Sequence, residues 1–270
     1  MNRFSKQVLY GLFFLAIIIA IVWGLYRAAV PAPTCTDGVQ NGGEEGVDCG
    51  AVCGVSCPPA LVPLENHGVQ LIHNSDGSWD ALAHLENPNG IYGASRVDYV
   101  LNVSDASGAP LAKRTGFTYV EPAQPKYLEF PLGTLGGMPA SAALQFTPAS
   151  VQWAALSVDA AGTVQFQVRS ETLASSSSGV HYAATVTNHS SFDFDSVDAV
   201  VLFENADNDI LAAGSTVMRT LTSGQTRGIT VDLPFAVPGA THTQTFVGTN
   251  LFSNDNYLKT YGSPERVQGN

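Results

Sequence analysis

Beyond residue 60 the chain reads as an all-β protein, held behind one apolar helix and a small cysteine-rich module. Three observations predict this. Residues 8–26 run nineteen positions without a charge. All four cysteines, Cys35, Cys49, Cys53 and Cys57, fall in one short stretch. The remainder alternates apolar and polar residues in short segments divided by turn formers, the period-2 signature of strands with one buried face.

The helix comes first. At 1.5 Å per residue, positions 8–26 span about 28 Å, enough to cross a hydrocarbon core. Arg3 and Lys6 precede the run and Arg27 alone follows it closely. The positive-inside rule therefore places the N-terminus in the cytoplasm and the rest outside the cell membrane, in a single pass. A cleavable signal peptide is the competing reading, because Ala28, Ala29 and Ala32 offer small residues near a cut. Signal-peptide cores run about 7–15 residues, so the longer run here favours an uncleaved signal anchor. Gly11, Ala16, Ala20 and Gly24 recur every four or five residues and offer a packing stripe for a partner helix.

Beyond the helix the chain keeps nine of its 12 Lys and Arg against all 23 Asp and Glu, a formal charge of −14. That charge repels nucleic acid and anionic headgroups, so neither is an expected partner.

The spacing C-x13-C-x3-C-x3-C, outside a cell, predicts two disulfides among Cys35, Cys49, Cys53 and Cys57, with three connectivities open. Zinc is the rival, but the spacing lacks a C-x-x-C knuckle. So few apolar residues cannot hold a fold by burial, and the bridges would supply what the core lacks. Between the cysteines, Asp37, Asn41, Glu44, Glu45 and Asp48 offer hard oxygens among glycines. Asp37, Asn41, Glu44 and Asp48 are the candidate calcium ligands. The bland alternative is turn stabilisation by Asp and Asn. Further acidic sets, Asp193/Asp195/Asp198 and Asp207/Asn208/Asp209, carry the same two readings.

The rest is written twice at an offset near 100. Val97-Asp98-Tyr99-Val100 matches Val197-Asp198-Ala199-Val200, Leu111-Ala112 matches Leu211-Ala212, and Ala83–Asn87 matches Ala184–Asn188 after a one-residue slip. Ser104–Gly108 and Asn205–Asp209 take the same hairpin turn in each copy. Strands every 8–12 residues on this scale predict two immunoglobulin-like β-sandwiches in tandem. If so, Val97 and Val197, Leu101 and Val201, and Leu111 and Leu211 should be buried in pairs, with Asp98 and Asp198 pointing outward. The layout is then a cytoplasmic stub over 1–7, a transmembrane signal-anchor helix over 8–30 and the cysteine-rich module over 31–58. A first sandwich follows over 60–156, a second over 157–256, and a flexible tail over 257–270. The boundary between copies falls near Ser157–Gly162, and Ser175–Ser178 reads as a long loop between strands.

Catalytic sets are thin. The six histidines (His67, His73, His84, His181, His189, His242) form neither H-x-x-x-H nor H-E-x-x-H, and His181 and His189 lie about 26 Å apart along an extended strand. There is no G-x-S-x-G elbow, and bridged cysteines offer no nucleophile. A non-enzymatic protein is expected.

Two resemblances add to this. Cys35, Asp37, Gly38, Asn41, Glu44, Gly46, Asp48, Cys49 and Gly50 match C-x-D-G-x-x-N-x-x-E-x-G-x-D-C-G, a module of bacterial surface and secreted proteins, with Ala51 where a second glycine is usual. It implies an extracellular spacer or display setting. Asn188, the Val197–Asn208 strand and turn, and Leu221–Thr226 make residues 163–252 resemble the FxLyD-type family of bacterial extracytoplasmic domains. Here Leu202-Phe203-Glu204 stands for the family's Leu-Tyr-Asp. That resemblance implies a sandwich fold in a cell-envelope protein and carries no catalytic residues. The expected function is a membrane-anchored protein presenting two sandwiches to a protein or cell-envelope polymer. The alternatives are an accessory subunit of a membrane or secretion/pilus-like complex and, third, a cell-wall-acting enzyme, which needs a cleft the sequence does not reveal.

Overall fold

A computed structural model describes residues 3–29, 35–57, 59–156 and 164–258. The chain divides into two compact units, Met1–Ala60 and Leu61–Asn270. The boundary expected near Ser157–Gly162 and most of the C-terminal tail lie outside the described residues.

In the first unit, α1 runs Arg3–Ala29. It therefore takes in most of the stub expected over 1–7. Lys6 and Gln7 are good helix formers, and Gln7, immediately ahead of Val8, is not a capping residue that would start the helix there. Phe4–Arg27 is long and apolar enough to cross a membrane, and none of it is buried. A helix satisfies its own backbone hydrogen bonds, which hydrocarbon requires. The Arg27 guanidinium lies 5.4 Å over the Trp23 ring, an aromatic and basic pairing suited to a membrane interface.

The cysteines pair Cys35–Cys53 and Cys49–Cys57. Little regular structure accompanies them beyond the bridges Gly46↔Cys49 and Gly50↔Val55. Glycine is required at 46, because a Cβ there would stand 2.8 Å from Cys49 Sγ and 3.1 Å from Cys57 Sγ.

The second unit holds thirteen described strands. The first lobe comprises β1 (Glu65–His73), β2 (Trp79–Glu86), β3 (Tyr92–Ser104), β4 (Pro110–Val120), β5 (Pro125–Gly133), β6 (Ser141–Gln145) and β7 (Gln152–Ala155). The second comprises β8 (Phe166–Ser176), β9 (Gly179–Asn188), β10 (Phe194–Glu204), β11 (Ile210–Leu221), β12 (Thr226–Leu233) and β13 (His242–Gly248). Sheets β1-β2-β5 and β4-β3-β6 make the first lobe, with β7 also on β3; sheets β8-β9-β12 and β11-β10-β13 make the second. Apart from β7, which has no described counterpart, the strand orders are the same. Even the bulges coincide: β3–β4 slips between Val103 and Ser104, and β10–β11 slips between Phe203 and Glu204. Ser175–Ser178 is a tight β8–β9 hairpin, with Ser176 opposite Gly179, where a long loop was expected. The Ser176 hydroxyl accepts from the Gly179 amide at 3.1 Å, so the serines close the turn themselves.

Each lobe encloses its own core. Ala81, Ala83, Leu85, Val97, Leu101 and Phe130 lie in the first, and Tyr182, Val186, Val197, Val201, Phe203 and Leu221 in the second. Full burial of such a side chain contributes about 1.5–3 kcal/mol. Val97, Val197, Leu101 and Val201 are fully buried, as their register predicted. Leu111 and Leu211 are only half-buried, because each begins an edge strand just past a hairpin turn.

A third apolar cluster joins the lobes. Ile72, Leu82, Leu202 and Ala213 are buried together, with Tyr127, Val200 and Phe246 against them. Strand alternation explains it: Ala81 and Ala83 face the first core, which turns Leu82 away, and Val201 and Phe203 likewise turn Leu202 away. The outer face of β1-β2-β5 therefore packs on the outer face of β11-β10-β13. Asp198 lies on that seam, which corrects the expectation that it points freely outward as the exposed Asp98 does.

Candidate functional site

Asn87 and Asn188 close the same turn in each lobe and are both fully buried. Asn87 Nδ2 donates to the carbonyls of Tyr92 (2.8 Å) and Glu121 (3.1 Å). Asn188 Nδ2 donates to those of Phe192 (2.8 Å) and Leu221 (3.2 Å). Their Oδ1 atoms accept from the amides of Asn89 and Ser190. These asparagines are structural latches that satisfy the backbone groups of the neighbouring loops.

The acidic residues of the cysteine module are spent on backbone. The Asp48 carboxylate accepts from the amides of Asp37 (3.1 Å) and Gly38 (2.9 Å), Glu44 Oε2 accepts from those of Asn41 and Asp48 (both 3.2 Å), and Asn41 Nδ2 donates to Asp37 Oδ2 (2.9 Å). The fold thus brings Asp37, Asn41, Glu44 and Asp48 together around turns, with the carboxylates facing amides. Among the described residues, ligand atoms converge within 4.8 Å in two sets, Cys35/Glu44/Cys53 and His67/His84/Glu86. The first is disabled as a metal site, since both its sulfurs are in disulfides. The other acidic sets disperse as well. Asp195 pairs with Arg219 at 3.1 Å, Asp193 Oδ1 accepts from the Ser223 amide, and the Asn205 side chain organises the turn through Asp207 and Asp209. Beside these turns Phe194 is fully buried, with Phe192 and Tyr257 packed on its ring.

The seam between lobes carries a charged group the sequence did not reveal. Tyr119 Oη donates to Asp198 Oδ2 at 2.9 Å, and Lys126 Nζ lies 3.7 Å from the same oxygen and 3.9 Å from the Tyr119 ring centre. Glu121 Oε1 accepts from the Thr249 amide at 3.3 Å. Burial pushes the Glu121 carboxyl up to about 7, against the pull of that amide and of Lys126. Burial likewise lowers Lys126 and, with Asp198 and Glu121 nearby, raises Tyr119 well above its ordinary range. Ser215 Oγ donates to Glu129 Oε2 at 2.7 Å further along. These contacts fix one lobe against the other.

On the uncovered end of the same sheet face stand Glu65 and His67 of β1 and His84 and Glu86 of β2. His67 Nε2 lies 3.2 Å from Glu86 Oε2 and 3.7 Å from Glu65 Oε2. The His84 ring stacks between His67 (4.6 Å) and Tyr127 (4.5 Å), and Tyr127 meets Phe246 of the second lobe at 4.5 Å. Burial, then the neighbouring His67, lowers the His84 pKa, so its ring is neutral at neutral pH. Linear spacing conceals this group, because its histidines lie on two different strands. The signal was an inverted pair, Glu65-x-His67 and His84-x-Glu86, which converges only when two strands run antiparallel.

His181 Nδ1 meets Asp232 Oδ1 at 2.6 Å. The pair is exposed beside a shallow depression lined by Ser175, Ser176 and Pro234. Ser176 Oγ donates to the Gly179 carbonyl, so this hydroxyl closes its turn and does not make a triad with His181.

The chain matches no protein-family profile, and no curated protein matches it.

Proposed function

We propose that this is a single-pass, membrane-anchored, extracytoplasmic protein that presents two fused immunoglobulin-like sandwiches for non-enzymatic binding or cell-envelope assembly. One observation carries the reading: an entirely unburied apolar helix, Phe4–Arg27, precedes a disulfide-bonded module. Such a helix needs lipid to cover it, and disulfides persist in oxidising compartments.

The test is protease added to intact cells or spheroplasts. The expected result is loss of residues 31–270 and survival of a fragment of about the first thirty. Protection of the β-lobes, with cleavage only after lysis, would reject the orientation.

The reading as an accessory subunit has a narrower basis than its stripe suggested. At 100° per residue, Ala16, Ala20 and Gly24 share a helix face, whereas Gly11 lies about 140° from Ala16. Exchanging α1 for an unrelated anchor separates the two readings. Retained function supports display, and lost function with normal export supports a helix-packing role.

A further inference from the structure

We propose that Glu65, His67, His84 and Glu86 bind one divalent transition-metal ion of the zinc class. Glu65 pairs directly with Glu86 across β1 and β2, so the two carboxylates share a face of the sheet. His67 lies two residues after Glu65, and His84 two before Glu86, which puts both imidazoles on that face. A bulge between Asn66 and Val69 interrupts the ladder at this point. Gly68 supplies its left-handed backbone, φ 98°, and Asn66 Oδ1 accepts from the Gly68 amide at 3.0 Å. Continuing the Glu65↔Glu86 and Asn66↔Leu85 register sets His67 opposite His84, and the bulge absorbs the extra residue of β1 before the ladder resumes at Val69↔Ala83.

Ligand atoms of His67, His84 and Glu86 already lie within 4.8 Å of one another, and Glu65 Oε2 adds a fourth at 3.7 Å from His67 Nε2. His84 Nε2 is buried with no hydrogen-bond partner in the structure, an arrangement disfavoured unless something satisfies the nitrogen. Two imidazoles and two carboxylates form the mixed N/O set that zinc accepts in tetrahedral geometry, and their two negative charges balance a divalent ion. Calcium, which takes six to eight oxygens, would be poorly served. Stacked rings direct their nitrogens side by side, so coordination requires His67 to turn out of the stack. Its side chain is exposed enough to do so. Four protein ligands leave no open position, which makes this a site that clamps edge strand β1 to β2.

The test uses the full-length protein in detergent micelles, without a histidine tag and stripped of metal, titrated with Co2+ and then with Zn2+. The expected result is one equivalent of Co2+ with the visible absorption of tetrahedral coordination, displaced by Zn2+. His67→Gln, at an exposed position, should weaken binding by at least about tenfold, and Glu86→Gln should also weaken it. His181→Gln and His189→Gln should leave it unchanged. Circular dichroism and intact disulfides would show each variant folded. Absence of a tetrahedral Co2+ signal in the unmutated protein would overturn the proposal. So would a signal that survives His67→Gln and Glu86→Gln, or one lost equally with His181→Gln.

Discussion

Tyr119 of the first lobe donates a hydrogen bond to Asp198 of the second at 2.9 Å, beside the Lys126 ammonium. Asp98, its counterpart at the same repeat position, instead stands in solvent paired with Arg96 at 2.8 Å. Equivalent residues thus do different work, because only the second copy turns this face toward a neighbour.

Charge reversal should expose that difference. Asp198→Lys removes the acceptor of Tyr119 and sets a second ammonium against Lys126, at an expected cost of about 1–3 kcal/mol. Asp98→Lys breaks only a surface pair and should cost under about 0.5 kcal/mol. Denaturant unfolding of the two variants measures both, and equal costs would remove Asp198 from the seam.

Glu121 should give the seam a pH dependence. Its carboxyl is raised from 4.5 to about 7 by burial, so the folded state holds the proton more tightly than the unfolded one. The stabilisation is fully present below about pH 4.5 and is lost as pH rises through about 7. The size is on the order of 3 kcal/mol, from about 2.5 pH units at roughly 1.4 kcal/mol each. Glu121→Gln should flatten the stability profile between these limits, as thermal melts across the range would detect. A profile steeper in the variant than in the parent would contradict the assignment.

The two asparagine latches should be of comparable value. Asn87→Ala and Asn188→Ala each strand two carbonyls and at least one buried amide, for an expected loss of about 2–4 kcal/mol apiece. The latches lie in different lobes and hydrogen-bond to different residues, so the double variant should lose close to the sum. A loss below 1 kcal/mol at either site would mean water replaces the side chain there.

Non-reducing peptide mapping should recover Cys35–Cys53 and Cys49–Cys57, the pairs formed in the structure. Reduction should disorder the module, whose cohesion rests on the bridges. The β-lobes contain no cysteine, so their hydrogen-exchange protection should be unchanged. Recovery of Cys35–Cys49 would refute the pairing.

Much of the architecture was legible in local sequence. The uncharged run over 8–26 could only be a buried or lipid-covered helix, because hydrophobic side chains all round leave no face for water. Alternation placed Val97, Leu101, Val197 and Val201 inward, since a strand's side-chain period is two and one buried face selects the register. The offset near 100 anticipated two lobes of matching strand order, down to the turns at Asp105 and Asn205, where the side-chain oxygen caps the amide two residues on.

What the sequence could not decide was what each sheet's second face meets. Leu82 and Leu202 are apolar residues at positions that alternation assigns to solvent, and only the packing of one lobe on the other explains them. Asp198, Lys126 and Glu121 take their character from that same contact, because desolvation depends on atoms distant in the chain. The His67–His84 pair shows the limit most plainly. Seventeen residues separate them in sequence, and the antiparallel pairing of β1 with β2, adjusted by a bulge at Gly68, sets one ring on the other. Periodicity fixes which face a residue takes; strand pairing and sheet stacking, long-range contacts with no local signature, decide who stands beside it.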